Sequence, residues 1–587
     1  MVFTQEKKSE STITIVRTEV IMDEDGATEK LNAVEKNGTG DGLPAKKFAN
    51  AEEEELFDSL IEKIGNDGKF QRRFDILYNF ILVMCVSMPY LNIILIMTIP
   101  DHWCYLPGRE MTNLTVEQWK EEHIPRDPVK LNNGFSSCKM YLDDDDNNNS
   151  GNRSIVDCRY GWEYDRTWYT ETAPTAQNWV CDKEVYVSNA FAAGRIGEIV
   201  GTLIFGQLGD QLGRMPVFYI SMVILIVGRI ASTFVSQWYY AFLVLIGLGS
   251  TASISTFQSP LVISMEVSDA RKRSYVAFLQ CVGWVIGLCV LAMMAWVLKD
   301  WQLIMVVSTL PCLAYFFMYK MFPESPRWLA SKGRVKQAAE VLKYIARVNK
   351  TTYPDNAEEV LQKIADKKEK FYGLPTLFFH WRLAKNTLLI ITCWGISGLS
   401  YYILMLNVTT MSGNPFMNFF WQSLVELPGY TLGKVCSNVF GRRWTQAGAY
   451  ILGSFFCSIV LLVLPLQMPL LEIFFVSLLK MCLTTSFYMV WLQAIEIYPT
   501  CVRQTGTSLG GMVSNTVGIV GPYVVLLGTS YHASIPYAVI LIGTMLSCVC
   551  ASFLPETYNE KLPETLEDAQ NFGKDQKFWN FKIYRKK

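Results

Sequence analysis

Charge is scarce in this chain. Of 587 residues, only 18% are Asp, Glu, Lys or Arg, whereas 50% are hydrophobic. A soluble protein of this length would carry more charge and divide into several domains. Basic (53) and acidic (54) residues cancel to a formal −1, so no overall field draws nucleic acid. Histidine is rarer still, with four in all, and no intramembrane acid pair stands beside a nucleophile, which argues against an enzyme. The G-x-x-x-x-G-K-S/T loop is missing, so direct ATP drive has no support and no cofactor is implied. The first 70 or so residues hold no apolar core that reads as a cleavable leader. The first spanning helix is therefore expected to direct insertion itself.

What is present is a series of apolar runs, each long enough at about 20 residues to cross a bilayer. Mean hydropathy is +0.18. The first run extends from Asp75 to Thr98, with Pro89 expected to kink it. Others fall near 186–205, 216–235, 239–262, 275–297, 302–321, 386–408, 416–438, 446–465, 469–493, 505–528 and 536–554. The pattern predicts an all-α membrane protein of twelve transmembrane helices. Residues 1–70 read as a cytoplasmic tail, mostly disordered. Within that tail Leu56, Leu60 and Ile64 fall at helical spacing, so Glu52 to Ile64 can form a short amphipathic helix. Residues 71–322 hold the first six helices, 323–385 a basic and acidic cytoplasmic loop, 386–555 the second six, and 556–587 a cytoplasmic tail. Inside the loop, Arg334 to Val348 and Ala357 to Lys370 read as amphipathic helices lying at the membrane surface.

Most of the fifteen cysteines sit in apolar runs, where cysteine behaves as a small hydrophobe. Cys104, Cys138, Cys158 and Cys181 differ, lying in the polar stretch 101–184 with sequons at Asn113, Asn148 and Asn152. Arg72 and Arg73 flank the first span and place the amino terminus in the cytoplasm, which puts this loop outside. Disulfides persist and sequons can be glycosylated there. Four cysteines allow three pairings, and the sequence does not choose among them. Zinc is the rival reading; wide spacing without C-x-x-C disfavours it.

Gly206-Gln207-Leu208-Gly209-Asp210-Gln211-Leu212-Gly213-Arg214 forms a tight turn between the second and third spans, where glycines let helix ends approach closely. Its G-x-L-x-D-x-x-G-R spacing resembles the signature loop of major facilitator superfamily transporters. Gly441-Arg442-Arg443 is a shorter echo where a parallel repeat of six helices places it. The resemblance implies two pseudo-symmetric six-helix bundles working by alternating access. Pro100-Asp101-His102-Trp103-Cys104, the loop-closing Gly161 to Asp165 and Trp179 to Asp182, and Glu496-Ile497-Tyr498-Pro499-Thr500 with Arg503 are similar to the branch carrying organic cations, anions and carnitine. Pro323-Glu324-Ser325-Pro326-Arg327-Trp328 is shared with sugar porters. The resemblance covers Glu52 to Pro563. It implies a gating role, through charge networks between the bundles, for Asp210, Arg214, Glu266, Arg273, Glu324, Arg327, Arg442, Glu496 and Arg503. Fixing topology by the positive-inside rule is the plainer role for the same residues.

Ionisable residues inside spans are costly and mark function by default. Arg195 and Glu198 lie three apart in the second span, on one helical face, where they can satisfy each other. They depart from the family pattern. Arg229, Glu426, Lys434 and Lys480 complete the set. Val425-Glu426-Leu427-Pro428 resembles the V-E-x-P of the family's eighth helix, which implies that Glu426 faces the cavity; pairing with Lys434 or Lys480 is the alternative. The same match puts Phe257, Trp394, Tyr401, Phe487 and Tyr488 at cavity-lining positions, where ring faces bind cations or aryl groups. Packing and lipid contact are the competing roles for each ring. Asn515 falls where cation carriers typically have aspartate, and anion and carnitine carriers arginine.

These readings combine into a transporter of small organic ions, with a cation or a zwitterion such as carnitine favoured, and sodium or proton as possible coupling ions. Its partner is the lipid bilayer, and its expected location is the plasma membrane. An organic anion carrier, a sugar porter and a non-transporting receptor on the same fold are the alternatives.

Overall fold

A computed structural model describes residues 57, 59–65, 67–108, 113–126, 134–142, 154–268, 270–366, 373–411, 413–499, 502–560, 563, 566–574 and 576, with 8, 9, 12 and 13. The chain divides into two units, Met1–Glu55 and Leu56–Lys587. In the first, Lys8–Ser9 pairs antiparallel with Thr12–Ile13; otherwise the expectation for this tail, and Leu56, lie outside the described residues. All that follows concerns the second unit.

Its long helices are α1 (Lys69–Ile96), α2 (Val185–Leu212), α3 (Arg214–Phe234), α4 (Tyr239–Glu266), α5 (Ala270–Leu298) and α6 (Trp301–Phe317), then α7 (Trp381–Asn407), α8 (Pro415–Leu424 continued by Glu426–Val439), α9 (Arg442–Val463), α10 (Pro469–Ile497), α11 (Arg503–Ser530) and α12 (Ile535–Ser552). Among the described residues nine of these are long and apolar enough to cross a membrane. The other three are α2, which carries Arg195, Glu198 and Asp210; α6, which is short; and α8, which is broken.

The two halves pack alike. In the first, α2 and α3 pack on α4, and α1 on α5 and α6; in the second, α8 and α9 pack on α10, and α7 on α11 and α12. The halves meet where α5 lies against α8 and α2 against α11. Shifting each helix number by six exchanges these two contacts, as a parallel repeat requires. Ser188 and Asn189 of α2 bond Pro522 O (3.4 Å) and Tyr523 Oη (2.7 Å) of α11 across the seam.

Two breaks have a shared cause. The first segment of α8 ends at Leu424 and that of α11 at Gly518, each four residues before a proline, Pro428 and Pro522. A proline ring clashes with the carbonyl four residues back and donates no hydrogen bond to it. Pro89 acts differently from expectation. The segment Leu82–Ile96 runs through it, and the irregularity of α1 comes earlier, as the π-helical stretch Asp75–Ile81.

One face of the molecule carries the loop between α1 and α2. The pairings there are Cys104–Cys158 and Cys138–Cys181, and two short antiparallel ladders join His102–Cys104 to Trp162–Tyr164 and Lys139–Leu142 to Ser154–Asp157. Asn113 is exposed; Asn148 and Asn152 lie outside the described residues. At the opposite face, helices Pro326–Ser331, Val335–Asn349 and Ala357–Asp366 pack together. Their apolar sides do not lie free for a membrane surface. Ala338, Leu342, Ile345 and Leu361 are buried in one core with Phe57, Leu60, Ile61 and Ile64. The amphipathic stretch before α1 thus finds its partner in protein.

Candidate substrate site and charged turns

The break in α8 presents Glu426 at the start of a helical segment inside the second half. Its Oε1 accepts from Tyr401 Oη of α7 at 2.7 Å and lies 3.3 Å from Lys480 Nζ of α10. Both charged side chains are 0% exposed. Lys480 Nζ also stands 3.4 Å from the centre of the Tyr401 ring, a cation–π contact. Although the pair is close, Lys480 Nζ has no acceptor in hydrogen-bond geometry and Glu426 Oε2 has no donor. The pair is neutral as a unit, with capacity on both sides unused.

Aromatic rings surround it unevenly. Phe487 stands 6.2 Å from Tyr401, centre to centre. From the first half, Trp284 of α5 lies edge-on to Phe257 (5.9 Å) and 5.3 Å from Tyr90 of α1. Tyr488 packs on Tyr430 of α8. Trp394 is buried in the core of the second half against Gly510 of α11, in a packing position. Asn515 is half-buried on α11, between Ser514, which meets Gly398 of α7, and Gly518, which faces Arg195. Glu426, Tyr401 and Phe487 therefore converge, Phe257 reaches toward the seam through Trp284, and Trp394 lies in the core that Phe487 borders.

A second group of charges occupies the first half. Arg195 Nη1 pairs with Glu198 Oε2 at 2.7 Å, and its guanidinium lies 3.6 Å above the Tyr402 ring of α7. Arg229 is 2% exposed and bonds Ser250 Oγ at 3.3 Å. Lys434, by contrast, stands over Phe278 of α5 at 5.2 Å.

A cavity of about 810 Å³ opens between the halves at the disulfide face. Asp101, Asp165, Glu184 and Glu472 line it, with no lysine or arginine among the described residues that line it.

The charged turns lie at the other face and repeat almost atom for atom. Gly213 (φ 109°) and Gly441 (φ 83°) hold backbone conformations that side chains resist. Just after each, a carboxylate caps the next helix: Glu324 accepts from the N–H groups of Arg214 and Met215 (both 3.0 Å), and Glu556 from those of Arg442 (2.7 Å) and Arg443 (3.2 Å). Acids suit helix starts, where free N–H groups and the helix dipole both favour negative charge. Arg214 Nη1 returns to Gly209 O (2.6 Å) and Asp210 (3.2 Å), and Arg442 Nη1 to Ser437 O (2.9 Å) and Asn438 (3.1 Å). Arg214 approaches Glu266 (4.0 Å) and Arg442 approaches Glu496 (3.3 Å). These pairs close within their own halves rather than between bundles as expected. Arg503 donates to Tyr498 O (3.3 Å), and Arg327 stands 6.0 Å from the Phe57 ring. Of Arg273 only the backbone, in α5, is described. Beside this face, hydrogen bonds from Arg72 and Lys272 hold the Asp67 carboxyl well below the usual carboxylate range.

Glu556 escaped the sequence reading. Its signal was legible, since Pro555-Glu556-Thr557 repeats Pro323-Glu324-Ser325. Trp284 had none beyond being one aromatic among many.

Two interlocking halves, with charges buried beside the seam, define a membrane carrier of the major facilitator type. The sugar (and other) transporter family matches residues 154–568, and the chain belongs to that family. It is 29% identical over 538 residues to organic cation transporter 1 of Caenorhabditis elegans, covering 88% of this chain and 89% of that one. It is also 29% identical over 559 residues to a beta-alanine transporter of Drosophila melanogaster, covering 88% and 89%. The inward-open xylose transporter XylE of E. coli superposes with a TM-score of 0.53 at 16% identity, over 69% of this chain and 92% of that one, a likeness of fold alone. The relatives agree with the organic ion branch read from the motifs. The protein is a multi-pass membrane transporter of that family, not an enzyme.

Proposed function

We propose that the chain carries small zwitterions, with an amine and a carboxylate on one short skeleton, by alternating access between its halves. The buried Glu426–Lys480 pair supports this reading. A substrate bearing both charges can enter such a pair without changing its net charge. The ammonium takes the free Glu426 Oε2 near the Tyr401 ring, and the carboxylate takes Lys480. A simple cation would leave Lys480 facing a like charge in a medium of low dielectric. Phe487, Tyr488 and Phe257 furnish apolar walls and Asn515 a neutral amide, while Trp394 supports them by packing. The similarity to a beta-alanine transporter fits this class.

In this reading the disulfide face is extracellular, both termini are cytoplasmic, and the membrane is the plasma membrane. The acidic cavity at that face draws in the amine end. The charged turns stiffen each half at the cytoplasmic side and gate the exit, with Arg273 and Arg503 near the same ends. Sodium and proton gradients are the driving forces to examine.

The test is uptake into cells expressing the full chain, comparing tetraethylammonium, carnitine and beta-alanine, and an aryl carboxylate, with and without sodium and with the membrane depolarised. Zwitterion uptake above the other two is expected. Tetraethylammonium uptake alone, lowered by depolarisation, would make it a cation carrier. No flux of any probe, with the protein at the surface, would favour the receptor reading.

A further inference from the structure

We propose that the first half holds a binding site for a monatomic anion of chloride size, between Arg195 and Arg229. The site is a separate cavity of about 20 Å³ within α1 to α4, closed by α7. Tyr90, Arg195, Glu198, Arg229, Ser250 and Tyr402 supply its polar lining. That volume holds one small particle and no organic substrate.

Two observations point to an anion. The first is charge. Arg195 and Glu198 neutralise each other at 2.7 Å, whereas among the described residues Arg229 finds only the hydroxyl of Ser250 at 3.3 Å. The three ionised groups leave one positive charge, and Arg229 is 2% exposed. A buried charge without a counter-charge is strongly destabilising. The second is hydrogen bonding. Arg195 Nε, Arg229 Nε and Arg229 Nη1 are buried without acceptors. All three are donors. A water has two lone pairs, needs acceptors for its own hydrogens, and leaves the charge standing. A halide accepts from whichever of these donors reach the cavity and cancels the charge.

Phe191 of α2 borders both this cavity and the large one at the disulfide face, so this ring stands between the site and the larger cavity. The site also touches the seam: Arg195 stacks on Tyr402 of α7 and faces Gly518 at the break in α11. An anion that fixes Arg195 therefore steadies the seam between the halves. None of this depends on which organic ion is carried.

The experiment uses the purified full chain in detergent, with thermal midpoints measured at constant ionic strength in sodium chloride, sodium bromide or sodium gluconate. A ligand that binds only the folded form raises the midpoint in a concentration-dependent way. Chloride and bromide are expected to raise it above gluconate. Arg229→Gln should abolish that increment, and Glu198→Gln, which leaves two net positive charges, should enlarge it. Equal midpoints in halide and gluconate would overturn the proposal, as would an increment that survives Arg229→Gln. If Arg229→Gln does not fold, Glu198→Gln decides: a larger halide increment supports the site, and an unchanged or smaller one overturns it.

Discussion

Lys480 and Glu426 neutralise each other inside the membrane, 3.3 Å apart and both fully buried. Glu426 is therefore not the free counter-charge that its motif suggests. Removing one partner leaves the other charged and unpaired, at a cost of about 3–5 kcal/mol. Glu426→Gln and Lys480→Gln should each lower the thermal midpoint and abolish uptake. The double substitution should recover the midpoint but not the uptake. Full uptake in the double variant would show that the pair is structural only.

Asn515 is the neutral amide where the family resemblance leads one to expect charge. Half-buried on α11, one turn before the break, it stands on the helix whose Gly518 faces Arg195. Asn515→Asp should shift selectivity toward cations, and Asn515→Arg toward carboxylates, in competition uptake assays. Unaltered selectivity in both would remove this residue from the site.

Glu324 and Glu556 each cap a helix with two N–H bonds. Loss of such a cap costs about 1 kcal/mol. Glu324→Gln and Glu556→Gln should lower the thermal midpoint by similar amounts, because the two sites are structural equivalents. Cysteines placed at the cytoplasmic end of the seam should become more reactive in both variants. An effect confined to one would mean that the halves do not share the gating load.

Asp67 joins Arg72 (3.0 Å) and Lys272 at the start of α1. Its folded pKa is depressed, first by the hydrogen bond from Arg72. The contribution is therefore complete above the unfolded value of about 4 and fades as pH falls toward the folded one. The group is half-exposed, so solvent screening keeps the effect below about 1 kcal/mol. The midpoint difference between wild type and Asp67→Asn should stay constant from pH 8 to 5 and shrink only below about pH 4. A change between pH 8 and 5 would assign the tether to another group.

Much of this molecule was legible because its signals are local. Apolar runs mark spans, and glycine beside charge marks the turns at Gly213 and Gly441. What stayed hidden depends on how helices face one another. Lys480 was one of two lysines that Glu426 might meet; Lys434, eight residues along the same helix, stands over Phe278 instead, and the facing of α10 against α8 brings Lys480 in. The four loop cysteines allowed three pairings, and the folded loop selects one, Cys104–Cys158 with Cys138–Cys181. The charge clusters were legible as residues but not as partners, since closure within each half follows from which helix ends abut. Pro428 and Pro522 were visible, yet a proline can also pass through a helix, as Pro89 does.

The breaks at Leu424 and Gly518 have no equivalents in α2 and α5, the helices that correspond to α8 and α11 under the repeat. The repeat is thus one of connectivity, not of compliance. One half presents two stiff rods to the seam, and the other presents two jointed ones. Movement around a bound solute would then be borne unequally, the second half flexing at its joints against a first half that serves as the anvil.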